Sequence, residues 1–175
     1  GINLGEAAAT VVLSAHQPEN EVITLSGGAV SNDANHISGP SRTGAELFQS
    51  IEAAIKEAQI DKGKIDFISA HGTATHYNDD MESKAISLAG LQHIPLNSLK
   101  GYYGHTLGAA GLLETVISIE SLLQGKIIPT MGFEILGTAQ PVHVCSSVIE
   151  KKLNRFLKTA SGFGGCNAAI IVEKI

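Results

Sequence analysis

Lys100-Gly101-Tyr102-Tyr103-Gly104-His105-Thr106-Leu107-Gly108-Ala109-Ala110-Gly111 is the stretch whose reading decides the fold. A short apolar run, 95–99, leads into it, and an apolar helical pattern over 107–123 follows. A histidine therefore sits in a glycine-rich turn between a strand and a helix, where α/β folds present their chemistry. His71-Gly72-Thr73-Ala74-Thr75 repeats the arrangement: a strand over 65–70 precedes it, and a helix capped by Asn78 or Asp79 runs to about Leu88.

Working outward, an apolar β-branched run predicts a buried strand over 8–13. A polar turn over 17–20 and a second strand over 21–29 follow, and the two strands can pair as a hairpin. Residues 31–42 are rich in Ser, Asn, Gly and Pro and read as a loop. Thr43 with Glu46 fits a capping box for a helix ending near Gln59, with Leu47, Ile51, Ala54, Ile55 and Ala58 as its core stripe. Gly125 terminates the 107–123 helix. Short strands at 142–144, 156–160 and 168–172 complete the pattern, the last two split by Gly162-Phe163-Gly164-Gly165. Helices between strands predict one α/β domain over 1–175, a mixed sheet layered with helices.

The chain of 175 residues, 43% hydrophobic and 17% charged, can bury a sizeable core. Its apolar runs fall far short of a bilayer span. A net charge of −5 without a basic cluster argues against nucleic acid and anionic membrane as partners, and leaves an acidic protein partner open. The two cysteines, Cys145 and Cys166, lie in apolar stretches and read as buried free thiols of a reducing cytosol. The seven histidines show no metal-ligand spacing. His36 and His76 are loop residues, His93 and His143 structural or solvated, and His16 a strand-end residue. The opening Gly1-Ile2-Asn3-Leu4, strand-like at once and without Met, suggests a piece of something longer.

For His71 and His105 two readings stand side by side. Each is a turn histidine bonding nearby backbone, or a hydrogen-bond donor to a developing oxyanion, with Thr73 and Thr75 able to fix the His71 tautomer. Lys100 is a solvated strand flank or a cation held near the imidazoles. Glu114, isolated in an apolar helix, needs a partner, and Lys100 is the obvious one. Phe163 between Gly162 and Gly164 is a core aromatic or a bulky group on a mobile turn, as a gate requires.

Together these segments resemble the C-terminal half of the β-ketoacyl-[acyl carrier protein] synthases, condensing enzymes of the thiolase fold. Residues 1–13, His71-Gly72-Thr73 with Asn78, Asp79 and Glu82, the Lys100–Gly111 block with Glu114, Ile127-Ile128-Pro129-Thr130, and residues 162–167 carry the likeness in order. Ala74 and His76 stand where that family has Gly and Pro. The resemblance implies a thiolase-like half with a mixed five-stranded sheet, and decarboxylative Claisen condensation of malonyl-carrier protein with an acyl thioester. It implies His71 and His105 as oxyanion donors, Lys100 as their support paired with Glu114, and Phe163 as the acyl-pocket gate. It also implies acyl carrier protein, an N-terminal half and a second copy as partners, in the cytoplasm. The chain itself holds no cofactor, since phosphopantetheine arrives on the carrier. The family's nucleophilic cysteine belongs to the N-terminal half, so this chain alone is expected to be inactive. A non-catalytic chain-length-factor-like subunit is the alternative, and a hydrolase built on Cys166 a third reading.

Overall fold

Alternation in the last two apolar runs builds the centre of the fold. In the computed structural model, which describes residues 2–15 and 22–175, Arg155–Gly162 and Cys166–Lys174 form an antiparallel hairpin with Phe156 opposite Val172 and Leu157 opposite Ile171. Successive side chains point to opposite faces. Phe156 and Val172 therefore join Phe67, Leu122, Ile127 and Leu153 on one face. Leu157, Ala169 and Ile171 join Ile68 and the helix stripe of Leu47, Ile51, Ala54 and Ile55 on the other.

Numbered along the chain, the elements are β1 (Ile23–Asn32), α1 (Ala45–Ala58), β2 (Phe67–Ser69), α2 (His76–Leu88), β3 (Leu96–Asn97), α3 (Lys100–Tyr103), α4 (Ala110–Gln124), β4 (Lys126–Ile127), β5 (Ile149–Glu150), β6 (Arg155–Gly162) and β7 (Cys166–Lys174). The main sheet has five strands in the order β1-β7-β6-β2-β3. β1, β7 and β6 are antiparallel neighbours, and β6, β2 and β3 run parallel. α1 packs on β1 and β7, while α4 packs on β6 and β2. The result is the mixed α/β sheet the sequence predicts. Because β2 and β3 are parallel, their carboxyl ends meet at one edge of the sheet. His71 follows β2 there and Lys100 follows β3.

Several expectations are corrected. Residues 8–13 form no strand: Val12 is 88% and Leu13 73% exposed, and β1 takes β7 rather than this run as its partner. Within 2–15 the ladder contact is Leu4 with His105. The turn over 17–20 and His16 lie outside the described residues. The Thr43/Glu46 capping box does not form. Gly44, left-handed at φ 73°, occupies the α1 N-cap, and the Thr43 hydroxyl accepts instead from the Ala45 N–H at 3.3 Å. α2 begins at His76, capped by Thr75 rather than Asn78 or Asp79, so His76 is helical. The 142–144 run shrinks to a bridge between Val144 and Leu96. Leu107–Gln124 is, by length and composition alone, apolar enough to cross a membrane. Within it, Glu114 is fully buried against lysines from two other elements.

Candidate active site

His71 leaves β2 into a turn clamped on both its polar edges. Its own N–H and that of Gly72 donate to the two Glu82 carboxylate oxygens, each at 2.9 Å. The carbonyls before it accept from cations. Lys158 Nζ lies 3.3 Å from the Ser69 oxygen and 3.2 Å from the Ala70 oxygen, and Lys100 Nζ donates to the His71 carbonyl. Asp79, Glu82 and Lys100 thus hold the backbone that aims the ring. The Thr73 N–H donates to Asp79 at 3.0 Å, and Ala74 takes a left-handed φ of 56°.

Glu114 is 0% exposed and shared between two ammoniums. One oxygen is 2.6 Å from Lys100 Nζ, and the other bonds Lys158 Nζ. An unpaired carboxylate could not persist there. Thr159 adds a 2.6 Å hydrogen bond to Glu82.

The two imidazoles meet edge to face, centroids 5.3 Å apart at 82°. Lys100 Nζ faces His71 Nδ1 at 3.4 Å. The Leu107 N–H, placed by a left-handed φ of 53°, donates to His105 Nδ1 at 3.0 Å. A ring nitrogen that faces a donor must be the acceptor. Each neutral ring therefore carries its proton on Nε2. Both rings are held neutral. Burial, then Lys100, Lys158 and His105, push His71 down to about 2. Burial and Lys100 lower His105 against the opposing pull of Glu114. Burial and Lys158 lower Lys100 although Glu114 raises it, and burial and Glu82 raise Asp79. A cavity of about 590 Å³ opens beside Lys100 and His105, bounded by Gly72, Tyr103, Met131 and Phe133. His105 stands in the cavity wall, with His71 packed edge to face against it, and preset N–H donors of this kind can bind an oxygen on which negative charge develops.

A sequence profile described as the C-terminal domain of β-ketoacyl synthase matches residues 22–134. The chain belongs to the β-ketoacyl synthase family. It is 31% identical to a 3-oxoacyl-[acyl-carrier-protein] synthase 2 of Vibrio cholerae over 100% of this chain and 45% of that protein. It is also 31% identical to a putative polyketide β-ketoacyl synthase 1 of Streptomyces halstedii, over 98% of this chain and 43% of that protein. Among solved structures, a ketosynthase in complex with its chain length factor from Xenorhabdus doucetiae superposes with a TM-score of 0.81 at 30% identity, over 90% of this chain and 40% of that chain. The chain thus spans less than half the length of these relatives.

Of the synthase residues singled out in the sequence, His71, Lys100, His105 and Glu114 converge. Thr73 and Thr75 do not reach the His71 ring as predicted. Their hydroxyls bond each other at 2.7 Å, and Lys100 faces Nδ1 instead. Phe163 projects from the β6–β7 turn, 82% exposed and outside the cavity wall. That turn is tethered to the 33–41 loop, since Gly164 N–H donates to the Ile37 oxygen at 2.6 Å and the Asp33 N–H to the Gly165 oxygen at 2.8 Å. Cys145 is buried and burial pushes its thiol up to about 11. Cys166 is exposed rather than buried, because strand alternation turns Asn167 inward beside it. His143 Nδ1 lies 3.2 Å from the His93 carbonyl.

Lys158 is a site residue beyond those the sequence singles out. Its signal was the same as that of Glu114: a lone charge in an apolar run, here Phe156-Leu157-Lys158-Thr159-Ala160. Glu82 is visible in the sequence only as part of the family likeness, and Thr159 carries no signal, since their roles depend on which groups the fold brings to them.

Proposed function

We propose that this chain is the decarboxylating part of a 3-oxoacyl-[acyl carrier protein] synthase. The observation that carries the reading is the edge-to-face pair of imidazoles, centroids 5.3 Å apart, with a donor facing Nδ1 of each ring. In the proposed reaction the malonyl thioester loses carbon dioxide. The bonding pair passes into an enolate, whose oxygen accepts hydrogen bonds from His71 and His105. The enolate carbon then attacks the carbonyl carbon of an acyl thioester and expels the thiolate. Donors set in place before charge develops need no reorganisation, and removal of one such donor typically costs about 10²–10³ in rate. Lys100 and Glu114 support the donors rather than touch the substrate. Phe163, on its glycine turn, would act as a gate only once a facing surface completes the acyl pocket.

The thiol that holds the acyl group is proposed to come from an N-terminal half, so the chain alone forms no acyl-enzyme. Carrier protein delivers both thioesters on phosphopantetheine, and the complete synthase is a dimer. The alternative of a non-catalytic chain-length-factor-like subunit has the weaker support, because such a subunit would have no use for the buried Lys100–Glu114–Lys158 system behind the two histidines. The test is carbon dioxide release from malonyl-carrier protein by the synthase that contains this chain. His71→Ala and His105→Ala should each lower it about 10²–10³-fold. A loss below about fivefold for both overturns the reading.

A further inference from the structure

Lys158 is a second buried ammonium at the site, 3% exposed, on the central strand β6. Its contacts are Glu114 and two backbone carbonyls, those of Ser69 and Ala70. These carbonyls lie immediately upstream of His71. Together with the Lys100 contact to the His71 carbonyl, three consecutive carbonyls at the end of β2 are held by two cations. A lysine that served only to pair Glu114 would have no need of that backbone.

The charge balance around His71 gives Lys158 a second consequence. The groups facing the imidazole region are Lys100 from α3, Lys158 from β6, Glu114 from α4, Glu82 and Asp79 from α2, and the neutral His105. Glu114 is one carboxylate against two ammoniums. Glu82 spends both oxygens on the N–H groups of His71 and Gly72 and on Thr159. Of these groups, Lys100 Nζ lies 3.4 Å from Nδ1, and the charges of Lys100 and Lys158 both oppose protonation of the ring.

We propose that Lys158 is a positioning residue for His71: its ammonium anchors the carbonyls that lead into the histidine turn and adds its charge to that of Lys100 near the imidazole, so that the ring stays neutral and presents its Nε2–H. The inference rests on the proposed donor role of His71. It is tested without turnover, so that its failure and the failure of that role can be told apart.

The experiment is a two-bond ¹H–¹⁵N NMR titration of the histidine rings in the chain itself, from pH 4 to 8, for the wild type, Lys158→Gln and Lys158→Arg. Gln keeps donors for the carbonyls and removes the charge, while Arg keeps the charge. Loss of a nearby charge from a low-dielectric site moves a titration by about one unit or more. In Lys158→Gln the imidazolium fraction of His71 at pH 4 to 5 should therefore rise at least about tenfold. Lys158→Arg should follow the wild-type curve. A Lys158→Gln protein that melts earlier but titrates His71 like the wild type makes Lys158 merely structural and overturns the proposal. Should Lys158→Gln not fold, Lys158→Met takes its place: a rise in the His71 imidazolium fraction at pH 4 to 5 supports the inference, and a wild-type titration curve refutes it. If the titration shifts as expected while the His71→Ala synthase retains full activity, the proposed function falls and the positioning role stands.

Discussion

Replacing Glu114 by Ala should be among the most damaging single changes the chain can suffer. The carboxylate is fully buried, and each of its oxygens serves a different ammonium; the side chains of Lys100 and Lys158 are only 7% and 3% exposed. Removing it leaves two buried cations with no counter-charge. Breaking a buried pair by deleting one partner costs about 3–5 kcal/mol. Here two partners are orphaned, so the upper part of that range applies. For a chain of 175 residues, each kcal/mol lowers the melting temperature by about 2–4 °C. A fall of roughly 8–20 °C is therefore expected in thermal denaturation followed by far-UV circular dichroism. The surface pair Lys126–Glu150, 50% and 69% exposed, is the internal control. Glu150→Ala should change stability by no more than about 0.5 kcal/mol. Adding Lys158→Met to Glu114→Ala removes one orphaned cation and should recover part of the loss. A Glu114→Ala protein within about 1 kcal/mol of the wild type would refute the claim that this carboxylate neutralises a buried cation pair.

His71 predicts an acid-sensitive fold. Its folded value of about 2 lies below the ordinary 6.5, so below pH 6.5 the unfolded chain binds the extra proton. Stability should fall by about 1.4 kcal/mol per pH unit from this group alone, and His71→Gln should flatten urea midpoints plotted over pH 6 to 4. Ala74→Gly should raise the melting temperature by about 1–4 °C, because Ala74 holds a φ of 56° that glycine adopts without strain; a lower melting temperature would contradict this. Iodoacetamide on the native chain should alkylate the exposed Cys166 and spare the buried Cys145, as read by peptide mass spectrometry. Incubation with acyl-carrier protein should leave neither cysteine acylated.

Much of the sheet was legible because its signals are local. The runs at 156–160 and 168–172 are apolar enough to read as closing strands, although their central place in the sheet comes from the fold, and the stripe of α1 has the spacing of a buried helix face. The run at 8–13 misled for a physical reason. An apolar β-branched sequence states only that a segment needs cover, not whether the same chain supplies it. Here β1 pairs with β7, and Val12 and Leu13 stay exposed. The α1 cap was misread because Thr43 and Glu46 satisfy the capping-box pattern, whereas Gly44 takes the cap by backbone geometry alone. In the site, glycine-flanked histidines and an isolated glutamate are visible one residue at a time. The sharing of Glu114 between Lys100 and Lys158, and the Glu82 grip on the His71 turn, join positions 14 to 44 and 10 to 11 residues apart. Only the fold reveals such partnerships.

The central claim is that His71 and His105 are both neutral Nε2–H donors at neutral pH. Long-range ¹H–¹⁵N NMR on the ¹⁵N-labelled chain at pH 7 measures this directly. The account predicts two rings with protonated Nε2 and bare Nδ1. An imidazolium, or a proton on Nδ1 of either ring, would contradict it.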